Sequence, residues 1–582
     1  MTTLTSDSHL AHARATLITK VEESQAVRDS EERSIDSGAV RVPPEILADV
    51  FLYVIDDVYE GDLEPIQQLY LPHVCRYWYN VTLQSTQYWR YQPLSRDGRL
   101  RASRLIERAG GRSLYVWGRL SADNHPRWDS PKRDSILLQA ELVKITLCRE
   151  ADDHPHADNS DPVVPGFLEA FLQRSAPHLE ALSLSARDML QWPTIPEVAF
   201  DGDTPLLRSL TLRGLRWSWL TAIFVSSLTG LILHGPVHWD DDCIRTLQRL
   251  PSLRRLELIN TTRPAWCGLT NIAHSASPSV KLKHLEVLHL GGHVYNLGAL
   301  ALELDTPPST SITISSYYAK FLDNDPTYFA PLLSWLSKRL QYLDAAFVPI
   351  RAMHVTSWST NPCDGTLRLY LSDPILNPYQ LPQAEDDDPC LKLKVHFKSF
   401  CKRSTHRAFL SFNAILHMIT SKLLLSPVQT LYLDHTSPLR DIRIPLNSLT
   451  GVQTFCLSGR DSPAVLRDLL LVSPNISHSR GEDSKGDLRL LPAIKTVILH
   501  GANFEQGSED IVAFVASRSK QGRPVEKLYL SQCEHVLGEW LQTLRRYVSM
   551  VEWDGLEGVQ FEDYGWMTCP EEVRLSSLWG YM

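Results

Sequence analysis

The sequence predicts an α/β protein in two parts: a small N-terminal helical module, then a solenoid of parallel strands and helices. Three observations predict it. The apolar pattern L-x-x-L-x-L recurs from residue 177 almost to the C-terminus. Segments of helical periodicity stand between several copies. A proline-led apolar run at helical spacing, over 42–89, stands apart from the repeats. At 582 residues the chain exceeds one ordinary core, which calls for several domains or a repeat array.

In chain order, residues 1–38 are polar, end in VEESQAVRDSEERSIDSG, and read as a disordered or frayed tail. The helical module covers 40–90. Ile46, Leu47, Val50, Phe51 and Val54 share one face of a 3.6-residue period, and Pro43 or Pro44 suits a first helical turn. An acidic loop (Asp56, Asp57, Glu60, Asp62) leads to a second helical pattern carrying Leu71, Val74, Cys75, Trp78 and Val81, closed by Trp89. So short a piece buries little surface alone, which favours a partner.

Residues 91–176 read as a linker leading into the solenoid: a helix with Leu100, Leu105 and Ile106, then an extended stretch with Leu114, Val116 and Trp117. His154 and His156 fall in an acidic, proline-punctuated loop; an exposed loop outweighs a metal site there, because no further ligands stand at recognisable spacing. The solenoid is placed at 177–570. Its first units, PHLEALSLS, PLLRSLTLRG, SSLTGLILHG, PSLRRLELIN and KHLEVLHLGG, start at 177, 205, 226, 251 and 283, or 28, 21, 25 and 32 residues apart. Alternating leucines put one strand face inside, and unit stacks on unit. Further units read at 299–307, 338–347, 365–373, 426–435, 450–459, 492–501, 524–533 and 549–558. Helical patterns stand at 327–340 and 406–425. Acidic or polar insertions stand at 374–390 and 478–487.

The module resembles the F-box in the form common among fungal F-box proteins, on its "PPEIL" helix, "HVCRYW" and trailing Trp89. The resemblance implies docking on the Skp adaptor of a cullin–RING ubiquitin ligase through Pro43, Pro44, Ile46, Leu47, Val50, Phe51, Val74, Cys75 and Trp78. Pro72 departs from the family pattern and puts the start of the second helix in question. The repeats are similar to irregular leucine-rich repeats, which often accompany an F-box.

The rest bounds function. The charge of −9 argues against general nucleic-acid binding. Ten cysteines without a C-x-x-C pair suit reduced thiols in a cytoplasmic or nuclear protein, and no secretory or membrane-spanning stretch is expected. No phosphate loop, dinucleotide fingerprint, nucleophile elbow or zinc-protease helix appears, so no enzyme, cofactor or metal is expected. Cys75 beside His73 reads as a packed thiol on a helix face rather than a nucleophile. Residues alternating with the buried leucines should face the exposed, concave side. The target-binding candidates are therefore Arg213, His234, Arg255, Glu257, His289, Tyr432, Asp434, Lys527 and Tyr529, with Arg and Tyr as favoured anchors. The expectation is a non-catalytic substrate-recognition subunit that positions a target for ubiquitin transfer. Its rivals are a repeat scaffold whose helical module only caps the solenoid, and an enzyme with a pocket beside the long insertion.

Overall fold

The structure, a computed structural model, describes residues 42–60, 71–93, 106–120, 136–148, 168–169, 171–187, 193–238, 240–262, 280–318, 329–346, 351–361, 364–372, 391–399, 425–435, 449–460, 462–470, 491–505 and 507–555. The expected N-terminal tail, the His154–His156 loop, both insertions and the helical pattern at 406–424 lie outside them. The chain divides into two compact units, residues 1–209 with 221–223, and residues 210–220 with 224–582.

In the first unit, helix α1 (Pro44–Glu60) opens with Leu47 N–H donating to Pro43 C=O at 3.0 Å, and Pro44, which has no N–H to lose, sits at its first position. Leu47, Phe51 and Ile55, spaced four apart, turn inward. The Phe51 ring lies 4.8 Å from Trp78 and 6.4 Å from Tyr88. Pro72 belongs to a 3-10 turn (Leu71–His73), and helix α2 (Arg76–Gln84) starts only after it. The expected second helix therefore loses Leu71, Val74 and Cys75. Cys75 is the N-cap, its sulfur accepting from Trp78 N–H at 3.5 Å, rather than a residue on the helix face. Tyr77 Oη donates to Val42 C=O at 2.6 Å and ties the two helices together.

A parallel ladder follows: β1 (Tyr91–Pro93), β2 (Leu114–Leu120), β3 (Ala140–Cys148) and β4 (Ala181–Arg187), each paired with the next. Val116, Val143, Ile145, Leu182 and Leu184 point to the core. The ladder thus begins before the first recognisable L-x-x-L-x-L unit.

The second unit takes up the chain within β5 (Ser209–Arg213), where Gly214 N–H donates to His234 C=O at 2.7 Å. Strands β6 (Gly230–His238), β7 (Arg255–Thr262), β9 (Val287–His293) and β11 (Ser311–Tyr318) pair in parallel. A small parallel pair, β8 (Val280–Lys281) with β10 (Leu304–Asp305), stands apart. The ladder then departs from simple order. β12 (Ala352–Asn361), β13 (Asp364–Ser372) and β14 (Leu391–Ser399) form a meander laid in reverse, so that β14 lies beside β11 and β12 beside β15 (Thr430–His435). Only β13 of the three runs against its neighbours. Parallel order resumes through β16 (Thr454–Ser458), β17 (Thr496–His500), β18 (Lys527–Ser531) and β19 (Met550–Trp553).

A backbone device repeats at these joins. The carbonyl just before a strand accepts from two N–H groups of the next unit. Thr229 C=O takes Arg254 and Arg255, Gln429 takes Gln453 and Thr454, and Gln453 takes Lys495 and Thr496, all at 2.7–3.0 Å. Backbone groups that would otherwise lack partners are thereby paired from one rung to the next.

Helices connect many strands: α3 (Asp241–Gln248), α4 (Val294–Glu303), α5 (Ala330–Ala345), α6 (Ser462–Leu470), α7 (Ser508–Lys520) and α8 (Gly538–Leu544). Asp240 caps α3, accepting from Asp242 and Cys243 N–H at 3.0 Å. Gly298 lets α4 and α5 meet, since a Cβ there would stand 2.2 Å from Leu332 N.

Two buried arginines tie helices back to the turn before an earlier strand. Arg339 of α5 donates to the carbonyls of Thr306, Pro307, Pro308 and Thr310, ahead of β11. Arg518 of α7 does the same to Leu491, Pro492 and Ile494, ahead of β17. With carbonyls instead of a carboxylate as partners, burial pulls both guanidinium groups down, Arg339 to about 10.

Three expected repeat strands are corrected. Residues 299–307 are mostly the end of α4, and 338–347 mostly the end of α5, because the same leucine spacing also makes an amphipathic helix face. Of residues 365–373, those up to Ser372 belong to the antiparallel β13. In the last unit the buried apolar residue ahead of β19 is Val548, just outside the expected bounds 549–558.

Candidate functional interfaces

Two surfaces carry the sequence candidates. The first is the outer side of α1. Ile46 (53% exposed), Val50 (48%) and Tyr53 (75%) recur at i, i+4 and i+7, with Val42 ahead of them. Val74, just before α2, and Tyr79 on it are exposed as well. The adaptor candidates therefore divide. Pro43, Pro44, Ile46, Val50 and Val74 are exposed, Cys75 and Trp78 are half-buried, and Leu47 and Phe51 are core. The correction for Leu47 and Phe51 is geometric: a helix with apolar residues on more than half its circumference has room for both an inner and an outer face. The sequence reading missed Val42, Tyr53 and Tyr79. The i+3 and i+4 steps from Ile46 and Val50 were the available signal.

The second surface is the strand-ladder face away from the leucines. In the second unit its polar part spans β5 to β11. Arg213 at the end of β5 is exposed. Glu257 on β7 is buried, and its carboxylate accepts from Arg255 Nε at 2.7 Å and lies 3.4 Å from His234 Nε2. Burial alone would raise its pKa. The His234 hydrogen bond and the Arg255 guanidinium, helped by His289, outweigh burial and hold Glu257 down to about 2. On the next strand His289 Nε2 lies 3.0 Å from Ser315 Oγ of β11. Ladder register sets Ile232, Glu257, His289 and Thr313 side by side, and the polar contacts reach from that row to His234 and Arg255 and, separately, to Ser315.

The same register row is apolar further along. Tyr432, Cys456, Ile498 and Tyr529 are direct neighbours on β15 to β18. Tyr432, Cys456 and Ile498 cluster with Ala352, and Tyr529 packs against them half-buried. Tyr432, a favoured anchor from sequence, is only 2% exposed; burial pushes its phenol well above the usual range. Its row partners are apolar, so the ring packs instead of facing solvent. Tyr529 Oη donates toward Met550 Sδ at 3.9 Å, and Lys527 is exposed. Asp434 sits opposite Ser458 in the register, its side chain outside the described residues.

Among the described residues no three His, Cys, Asp or Glu side chains are grouped to hold a metal ion. Burial raises the thiols of Cys243 and Cys456 out of the reactive range, and Cys533 to about 11, so these sulfurs stay protonated and inert at neutral pH. No helix among the described residues is long and apolar enough to cross a membrane.

Neither a family model nor a curated protein matches the chain. Among solved structures, the leucine-rich-repeat protein LIC12759 of Leptospira interrogans is similar over 76% of this chain and 90% of that one, at 11% identity and a TM-score of 0.25. A likeness at that level carries no argument. The reading of the fold as leucine-rich-repeat-like rests on the chain's own geometry: parallel strands in register, leucines inside, and helices between rungs.

Proposed function

We propose that the chain is a non-catalytic substrate-recognition subunit of a cullin–RING ubiquitin ligase, working in the cytoplasm or nucleus. The helical module docks a Skp-type adaptor, and the strand ladder holds a target protein. The observation that carries this reading is the apolar stripe Val42–Ile46–Val50–Tyr53 with Val74 and Tyr79 beside it. So many large apolar side chains left on one short segment mark an interaction site. The mechanism is proximity. Apolar burial fixes the adaptor, and the ladder raises the effective concentration of the target at the ligase's transferable ubiquitin.

The scaffold reading, in which the module only caps the repeats, calls for Ile46 to be covered. It is exposed instead, while Phe51 is filled in by Trp78 and Tyr88 of the module itself. The test is capture of a purified Skp adaptor by the full chain and by the double variant Ile46→Asp, Val50→Asp. Both positions are on the outer face, so the variant should melt as the parent does yet lose capture by at least roughly a hundredfold, as expected for losing a buried apolar anchor pair. Equal capture by both proteins, or by neither, sinks the ligase reading. Substituting Leu47 instead would confound the result, because that side chain is core.

A further inference from the structure

The last strand of the ladder has an open edge. Among the described residues β19 has one neighbour, β18. Met550 N–H donates to Glu526 C=O at 3.0 Å, and Asp554 N–H to Leu530 C=O at 3.2 Å. In a parallel ladder alternate residues bond to opposite sides, so the N–H and C=O of Val551 and Trp553 point to the outer edge. Strands β15 to β18, by contrast, each pass such groups to the strand that follows. The side chains agree. Val551 and Trp553 are half-buried, whereas their register partners Leu528 and Leu530 are 0% and 2% exposed. The indole Nε1 of Trp553 is buried with no acceptor among the described residues. On the other face Met550, Glu552 and Asp554 are exposed, and the Asp554 carboxylate also accepts from Gln532 N–H at 2.8 Å. Lys527, beside Met550, is the only Lys or Arg on β18 and β19, so the far end of the edge, at Glu552 and Asp554, is acidic.

We infer that the β19 edge binds an extended segment of a partner protein, apolar at alternate positions and basic at those between. Strand addition pairs the outward N–H and C=O groups, which is how an open sheet edge takes up a peptide. The two-residue period of a strand then sorts the side chains. Apolar residues of the segment fall beside Val551 and Trp553 and complete the half-covered layer. The residues between them fall beside Met550, Glu552 and Asp554, where charge selects Lys or Arg. A second copy of the chain fits less well, because its own β19 brings Glu552 and Asp554 and no cation to the same edge. The edge belongs to the second unit and α1 to the first, and the inference does not rest on the ligase reading.

The experiment titrates the full chain into a fluorescein-labelled peptide that alternates Val and Lys, read by anisotropy. The comparison probes are the same peptide with N-methylated amides, which cannot donate to a ladder, and a peptide that alternates Val and Glu. The Val and Lys peptide should bind, N-methylation should abolish binding, and the Glu version should bind at least roughly tenfold more weakly. Val551→Pro removes an outward N–H and no bond to β18, a change that edge strands tolerate, and should lower affinity by roughly tenfold. Glu552→Lys, at an exposed position, should lower it by roughly threefold and guards against a fold defect in the proline variant. Equal binding of either comparison peptide, or unchanged affinity in both variants, overturns the inference. So does failure of the parent chain to bind, the outcome if its own residues after Gly555 hold the edge. A dimer in sedimentation that Val551→Pro dissolves overturns it as well, by assigning the edge to a second copy. Adaptor capture through α1, measured on the same proteins, should be unchanged by both variants, so this inference and the ligase reading fail separately.

Discussion

The open face of the ladder is built in two ways on one register. Across β6 to β11 the row holds Ile232, Glu257, His289 and Thr313; across β15 to β18 the equivalent positions are Tyr432, Cys456, Ile498 and Tyr529. The backbone is the same parallel ladder, so the difference lies in the side chains. In the first half each polar group needs a named partner, and Glu257 has two. In the second half burial itself is the interaction, and partners are interchangeable within volume limits. A polar row is thus specified contact by contact and can exchange its partners for those of a ligand. An apolar row is a second core and has no such use.

The largest expected effect breaks the apolar row. Ile498→Asp buries a carboxylate among Tyr432, Cys456 and Tyr529 and should cost about 4 kcal/mol or unfold this half, seen as a lower urea midpoint. The row-equivalent change in the polar half, Ile232→Asp, lands at a half-buried site and should cost about 1 kcal/mol. Equal losses would erase the distinction between the halves.

Next comes a device the halves share. Arg339 and Arg518 each bind the carbonyls of a turn ahead of an earlier strand. Arg339→Met and Arg518→Met should each cost about 3 kcal/mol, since several charge-assisted bonds go and buried carbonyls lose partners. Similar losses in both would show that the halves differ on the open face and not in how turns are fixed. A loss near zero in either would show that arginine to be dispensable.

The Glu257 network should reveal itself through pH. Its folded pKa, about 2, lies below the ordinary 4.5, so its stabilisation is present in full above pH 4.5 and fades as pH falls toward 2. On the order of 3 kcal/mol is at stake. Glu257→Gln should flatten the stability profile in that window, and leave the pH response of the apolar half unaltered. A parallel-shifted but equally steep profile would place the titration elsewhere.

The repeated strands were legible because buried leucines alternate wherever a strand lies on a helix-covered layer, and PSLRRLELIN or KHLEVLHLGG shows this directly. The meander was not. Residues 391–399 (LKLKVHFKS) alternate as a strand does, but nothing in a period-2 pattern tells which neighbour it pairs with. Leucine spacing also failed at 299–307 and 338–347, where i, i+3 and i, i+4 contacts fit a helix as well as the repeat. On the surfaces, alternation picked Arg213, His234, Arg255 and His289 for the correct face. It could not tell that Tyr432 would be covered, since exposure depends on row neighbours such as Cys456 and Ile498 that belong to other units of the sequence. Nor did it separate the outer stripe of α1, picking Ile46 and Val50 together with the core residues Leu47 and Phe51, because apolar periodicity does not say which of two apolar faces is inside.

The smallest effect tests the margins of both halves together. Arg254 pairs with Glu286 at 3.3 Å beside the polar row, and Lys495 with Glu526 at 3.2 Å beside the apolar one, each linking consecutive rungs just ahead of their strands. All four side chains are more than half exposed, so water screens the attraction and ordering long side chains costs entropy. Glu286→Gln and Glu526→Gln should therefore each change stability by less than about 0.5 kcal/mol, with no dependence on the half in which they sit. The rungs are joined at those same residues by backbone bonds to Arg254 and Lys495 carbonyls at 2.7 Å, which neither substitution touches. A loss above about 1 kcal/mol in one half alone would mean that charge on the rim, and not only on the open face, distinguishes the polar region from the apolar one.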